Sequence, residues 1–181
     1  MSIVIVYFSG YGHTAKQAQA VADGVGNKAT MIQIDEHGDI SDDAWTQLDK
    51  ADAIIFGSPT YMGTVAWQFK KFAEASSKRW ATSAWKKKLA AGFTNSGSMN
   101  GDKGTTISYL ITFALQHGML WTGTGMMPSN TKTAQRDDIN YLGGYSGLLA
   151  QSPSDASPDE APCKGDLETA KVFGQHVARL V

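Results

Sequence analysis

Near the N-terminus, Ile3-Val4-Ile5-Val6-Tyr7-Phe8 is an almost uninterrupted apolar run, and it ends in Ser9-Gly10. A run of this length without alternation suits a strand covered on both faces, as in a parallel sheet. Ala53-Ile54-Ile55-Phe56-Gly57 has the same character, and Leu89-Ala90-Ala91-Gly92-Phe93 repeats it with weaker strand formers. Thr30 to Ile34, ending at Asp35-Glu36, and Met119 to Thr122 read as two further strands. Between them the apolar spacing changes to that of helices. Ala15, Ala18, Val21, Ala22 and Val25 share one face, with Gly24 and Gly26 as stops. Asp42–Lys50 carries Trp45 and Leu48. Thr64 reads as the cap of a helix holding Val65, Phe69, Phe72 and Ala73. Asp102 opens a helix with Ile107, Leu110, Ile111, Ala114 and Leu115 in a stripe. The last helix spans Asp166 to Leu180, with Leu167, Ala170, Val177 and Leu180 inward.

Five strands alternating with helices predict a single α/β domain over residues 1–181, a doubly wound parallel sheet with helices on both faces. Ligands on such sheets bind beyond the carboxyl ends of the strands. From Gly125 to Gly165 the periodicity fails, and four of the five prolines fall there. Regular structure should be sparse in this stretch, and one so long in a compact domain is usually functional or mobile.

Charge narrows the possible partners. A net charge of −1 and a pI near 6.4 give no reason to expect nucleic acid or an anionic membrane. The run Lys86-Lys87-Lys88 reads as a solvated strand entrance. A single cysteine, Cys163, allows no intrachain disulfide, which fits a reducing compartment. No apolar run approaches the roughly eighteen residues of a membrane span, and the N-terminus lacks signal-peptide features. A cytoplasmic location is the expectation.

The chemistry concentrates in three loops after strands one, three and four. In Ser9-Gly10-Tyr11-Gly12-His13-Thr14 a glycine turn leads into a helix start. Helix N-termini leave amide N–H groups unpartnered and carry about half a positive charge, so this is a place for an anion. Ser9 and Thr14 add hydroxyls, and the loop has no Lys or Arg. The same stretch fits Gly10-x-Gly12-x-x-Ala15, a dinucleotide pattern, with Asp35 placed to hold a ribose. The other two loops are Ser58-Pro59-Thr60-Tyr61-Met62-Gly63 and Thr94-Asn95-Ser96-Gly97-Ser98-Met99-Asn100-Gly101. Their small polar side chains and main-chain groups suit a flat heterocycle with polar edges. No metal ligand set is assigned.

Tyr7 to Thr14, Gly57 to Gly63 and Gln116-His117-Gly118-Met119 together resemble a known family, and the match covers most of the chain. They are similar to flavodoxin-like proteins, and within them to the WrbA-type NAD(P)H:quinone oxidoreductases and related FMN reductases. The resemblance implies strand order 2-1-3-4-5 and FMN as cofactor. It assigns the phosphate to Ser9, Gly10, Tyr11, Gly12, His13 and Thr14. Pro59, Thr60, Tyr61, Met62 and Gly63 would border the flavin, as would Thr94, Asn95, Ser96, Gly97, Ser98 and Gly101. Trp80 would wall the flavin face, and His117 would orient the acceptor. The implied reaction passes electrons from NAD(P)H to a quinone-like small molecule, in a homodimer or homotetramer. Tyr61, Met62 and Thr64 depart from the family's Arg, Phe and Asn, and Met99 and Asn100 interrupt a loop that is richer in Gly elsewhere. Three other readings stay open: an electron carrier without NAD(P)H activity, a classical NAD-binding enzyme, and an interaction module that has lost FMN.

Overall fold

The N-terminal apolar run forms strand β1 (Ile3–Tyr7), with every side chain buried. Ile3, Ile5 and Tyr7 face one helical layer, while Val4, Val6 and Phe8 face the other. This is the alternation a strand imposes when both its faces are covered. The computed structural model describes all residues, 1–181. After β1 come α1 (His13–Val25), β2 (Ala29–Gln33), α2 (Asp42–Lys50), β3 (Ala53–Tyr61), β4 (Thr64–Val65) and α3 (Trp67–Ala75). The chain continues through α4 (Ser77–Ala81), β5 (Leu89–Ser96), α5 (Lys103–Gln116), β6 (Leu120–Trp121), β7 (Leu148–Gln151) and α6 (Lys164–Arg179).

The sheet runs β2-β1-β3-β5-β6, and every pairing along this path is parallel. That is the expected 2-1-3-4-5 order once the short β4 is set aside. The fifth place, however, is divided. β6 pairs only with Leu89 and Ala90 of β5, and β7 pairs with Phe93 to Ser96. Residues 122–147 are an insertion between two halves of one strand. The stretch read as sparse in structure therefore contains β7, whose burial alternates residue by residue. Four residues among glycines and prolines give too short a pattern to stand out.

Helices α1 and α6 cover one face, and α2, α3 and α5 cover the other. On the second face Phe56, Phe69, Phe72, Trp85 and Phe113 pack ring against ring, with centroids 5.1–6.4 Å apart. Between α1 and α6 the backbones nearly touch. A Cβ on Gly24 would lie 2.0 Å from the Lys171 carbonyl oxygen, and one on Gly174 would lie 2.1 Å from that of Val21. Gly24 is thus a crossing point inside α1, and Gly26 (φ 76°) is the stop.

Three helix expectations change. Thr64 caps nothing: Met62 and Gly63 both have positive φ (49° and 89°), as a two-residue type I′ turn requires. The chain therefore folds back, pairing Tyr61 with Thr64 antiparallel, and α3 begins at Trp67. On α5, Phe113 takes the inward place and Leu115 is exposed. On α6, Phe173 and Gly174 lie inward, Leu167 is half-buried and Leu180 is exposed. Lys88 is not fully solvated either. Its ammonium donates to the carbonyls of Asp49 and Ala51, where α2 ends.

Candidate functional site

The carboxyl ends of β1, β3 and β5 meet over a crevice of about 600 Å³. Tyr11, His13 and Thr14 form one side. Pro59, Thr60 and Tyr61 form a second, and Asn95, Ser96 and Gly97 a third. The three polar loops thus converge, because β3 sits between β1 and β5 and all three run the same way.

The first side is built for an anion. Gly12 is the N-cap of α1, with φ 91°, and no side chain caps the helix. The N–H groups of Tyr11, Gly12, His13 and Thr14 have no protein acceptor, while the next amide, Ala15 N–H, donates to Ser9 Oγ at 3.1 Å. Ser9 Oγ therefore keeps its own proton free to donate. Thr14 is 2% exposed and lines the crevice. Four unserved amides, the positive end of a helix and two hydroxyls suit an anion such as a phosphate, without a cationic side chain.

The other sides are rigid and mostly buried. Thr60 Oγ1 bonds to Thr94 Oγ1 at 2.9 Å and to Thr106 Oγ1 at 2.7 Å, tying β3 to β5 and α5. Ser58 Oγ accepts the Ala66 N–H, which sets the exit of the β4 hairpin. Gln17 is fully buried and donates to the Thr94 carbonyl, and its own Oε1 has no partner. Tyr61 meets Tyr11 edge-on, centroids 6.1 Å apart, and its phenol oxygen overhangs Gly10. Burial, and next Tyr11, push the Tyr61 phenol above its ordinary pKa, so it stays protonated.

The remaining assigned residues divide. Gly10, Gly12 and Ser9 shape the first loop without lining the crevice. Met62 and Gly63 form the hairpin tip, with Met62 fully exposed. Thr94 lies beneath the crevice floor, while Ser98 and Gly101 belong to the bend beyond Gly97. Trp80 and His117 are not brought to this crevice. They line a separate cleft of about 700 Å³ with Tyr109 and Phe113. His117 is 5% exposed, its Nε2 is 2.9 Å from Ser76 Oγ, and its ring lies against Trp85. Burial lowers its pKa to about 4, so the ring is neutral. Asp35 also lies apart. Its carboxylate accepts the N–H groups of His37 and Asp39 and closes its own turn.

The fourth side of the crevice was not assigned from the sequence. Ser152, Pro153, Ser154, Ala156 and Pro158, just after β7, complete it. This strap is pinned to the first loop: the Ala156 carbonyl is 3.0 Å from His13 Nε2, Asp159 pairs with Lys16 at 3.0 Å, and Pro158 closes over Gly12. The signal available was the Ser/Pro-rich run 152–158 inside an otherwise long irregular stretch. Cys163, further along, has its thiol pushed above its ordinary pKa by burial.

Comparison with known proteins agrees with this fold. A family model described as a flavodoxin domain matches residues 4–124. The chain is 51% identical over 177 residues to Flavodoxin FldP of Pseudomonas aeruginosa, covering 98% of this chain and 95% of that protein. It is 29% identical to an NAD(P)H dehydrogenase (quinone) of Geobacter sulfurreducens, covering 99% and 97%. A crystal structure described as a flavodoxin, WrbA-like protein from Agrobacterium tumefaciens superposes with a TM-score of 0.81 at 47% identity, covering 99% and 96%.

Proposed function

We propose, from the premise that this chain belongs to the flavodoxin family, that it binds FMN in the crevice and serves as a flavodoxin-type electron carrier. When bound, FMN supplies reversible electron transfer, and the chain supplies binding, orientation and exclusion of water. The unserved N–H groups of Tyr11 to Thr14 fit a phosphate group, and the slot between Pro59–Tyr61 and Asn95–Gly97 fits a flat ring. The hydroxyls of Ser9 and Thr14 would donate to phosphate oxygens. Tyr11 and Tyr61 would keep water from one edge.

The observation that carries the carrier reading is where His117 and Trp80 lie. An enzyme that passes electrons from NAD(P)H to a quinone must bind and orient both molecules beside the flavin. In one chain neither side chain reaches the crevice, and the one His117 nitrogen with a partner is already taken by Ser76. The 51% identity to a flavodoxin supports the same reading.

A second reading, an FMN-dependent NAD(P)H:quinone oxidoreductase, is favoured by the 29% relatives and by the Trp80–His117 cleft itself. It requires a second copy of the chain, in a homodimer or homotetramer, to carry such a cleft to the crevice. Rapid mixing of FMN-loaded protein with NADH and with NADPH separates the two. The carrier's flavin is expected to stay oxidised over seconds with either nucleotide, while dithionite reduces it. Fast bleaching by a nicotinamide, with a dimer or larger species in sedimentation, would overturn the carrier reading in favour of the enzyme.

A further inference from the structure

Lys103, the first residue of α5, is 1% exposed, which is rare for a lysine. No carboxylate pairs with it. Its ammonium donates to three main-chain carbonyls, those of Ser98 (2.6 Å), Met99 (3.1 Å) and Asn100 (3.5 Å). Ser96 Oγ donates to the same Ser98 carbonyl at 3.1 Å, and Gln151 Nε2 donates to the Gly97 carbonyl at 2.7 Å. The bend is completed by Gly101, at φ 53°, where a Cβ would lie 2.1 Å from Ser96 Oγ.

In a trans peptide the C=O and the following N–H point in opposite directions. The only cis bond in the chain is Ala161-Pro162. Three carbonyls gathered inward on Lys103 therefore turn the N–H groups of Met99, Asn100 and Gly101 outward. None of these donates to any protein acceptor. The bend continues from Gly97, which lines the crevice. We propose that Lys103 is a positioning residue for the cofactor: by gathering these carbonyls it fixes the third loop and presents its amides on the outer side, toward bound FMN. The inference rests on the FMN reading given above.

The cost of the arrangement supports a role beyond folding. Burial lowers the Lys103 pKa to about 8, so the folded chain holds a charge it would rather shed. A methionine of similar length would fill the space without that penalty, but it would leave the three carbonyls without their shared donor. The charged groups facing the ammonium are Asp166 of α6 and Arg136 of the insertion, and they are bonded to each other.

The test compares the parent chain with Lys103→Met. The apoprotein of the variant is expected to fold and to melt somewhat below the parent, because the carbonyls of Ser98, Met99 and Asn100 lose their donor. Its Kd for FMN, from quenching of flavin fluorescence, is expected to rise about tenfold, equivalent to ~1.4 kcal/mol. Amide exchange at residues 98–101 of the apoprotein should quicken. Unchanged FMN affinity overturns the assignment and leaves the proposed function standing, and so does weaker affinity without faster exchange. A parent chain that takes up no FMN removes the proposed function and this assignment with it. If the variant fails to fold, the parent serves alone. Its FMN affinity should weaken between pH 7 and 9 as the ammonium titrates, while the cofactor's phosphate keeps its charge because its second pKa is about 6. A flat profile over that range overturns the assignment.

Discussion

At the scale of single residues, the turn proposed to hold the phosphate was legible because it is local. A strand, two glycines and a helix start within eight residues fix where the amides of Tyr11 to Thr14 point, whatever the rest of the chain does. Only Ser9 and Thr14 have side chains that add to it, so they are the residues to change. Ser9→Ala with Thr14→Val is expected to lower FMN affinity by roughly 1.5–3 kcal/mol for each hydrogen bond to the charged phosphate, read by flavin fluorescence. Unchanged affinity would put the phosphate elsewhere. The environment of His117 was not legible, because burial under Trp85 and Phe113 depends on residues far along the chain. It has a consequence for stability. The folded pKa of about 4 lies below the ordinary value of 6.5, so between these values the unfolded chain binds more protons than the folded one. Stability from keeping His117 neutral is therefore whole above about pH 6.5 and is lost as the pH falls toward 4. The melting temperature should decline over that window, and His117→Gln should flatten the decline.

At the scale of elements, strands β1, β3 and β5 announced themselves by apolar runs, and their carboxyl ends set the crevice. The boundaries did not, since turn geometry overrode side-chain pattern. Val65, Phe69, Phe72 and Ala73 fit a helical face, yet Met62-Gly63 reverses the chain before α3 can start. Met62 sits in the left-handed region with its side chain fully exposed, so it loses nothing when removed. Met62→Gly is expected to stabilise the fold by about 0.5 kcal/mol, with relief of strain at positive φ set against glycine's extra chain entropy. A urea titration reads the difference. The α1–α6 crossing behaves oppositely. Gly174→Val puts carbon atoms against the Val21 carbonyl, which is backbone and cannot swing aside. Overpacking of this kind costs roughly 1–3 kcal/mol or more, so the variant should melt well below the parent. In the sequence, Gly24 reads as a helix stop, because one helix gives no hint of which other helix it will meet.

At the scale of the whole molecule, the least legible part was the insertion and the strap beyond it, and both are organised by one buried carboxylate. Asp166 is 3% exposed and accepts from both terminal guanidinium nitrogens of Arg136, Nη1 and Nη2, each at 2.6 Å. It also accepts the N–H of Gln151 at 2.8 Å. One side chain on α6 thus holds the insertion, through Arg136, and the end of β7, through Gln151, just before Ser152 enters the crevice wall. No periodicity could reveal a contact between residues thirty positions apart whose partner lies in an irregular loop. Asp166→Ala leaves the Arg136 guanidinium, held in the partly buried site, without its counter-ion. Breaking a buried pair by removing one partner costs about 3–5 kcal/mol. The apoprotein is therefore expected to lose that much in urea unfolding. FMN affinity should fall as well, because β7 loses its anchor and the wall from Ser152 to Pro158 follows it. Replacing both partners, Asp166→Leu with Arg136→Met, separates the two effects. Stability should largely return, since no charge is left buried alone. The Gln151 N–H would still lack its acceptor, so FMN affinity should recover less than stability does. If both recovered fully, the ion pair alone would be what Asp166 contributes, and the strap would be held by its contacts with His13 and Lys16.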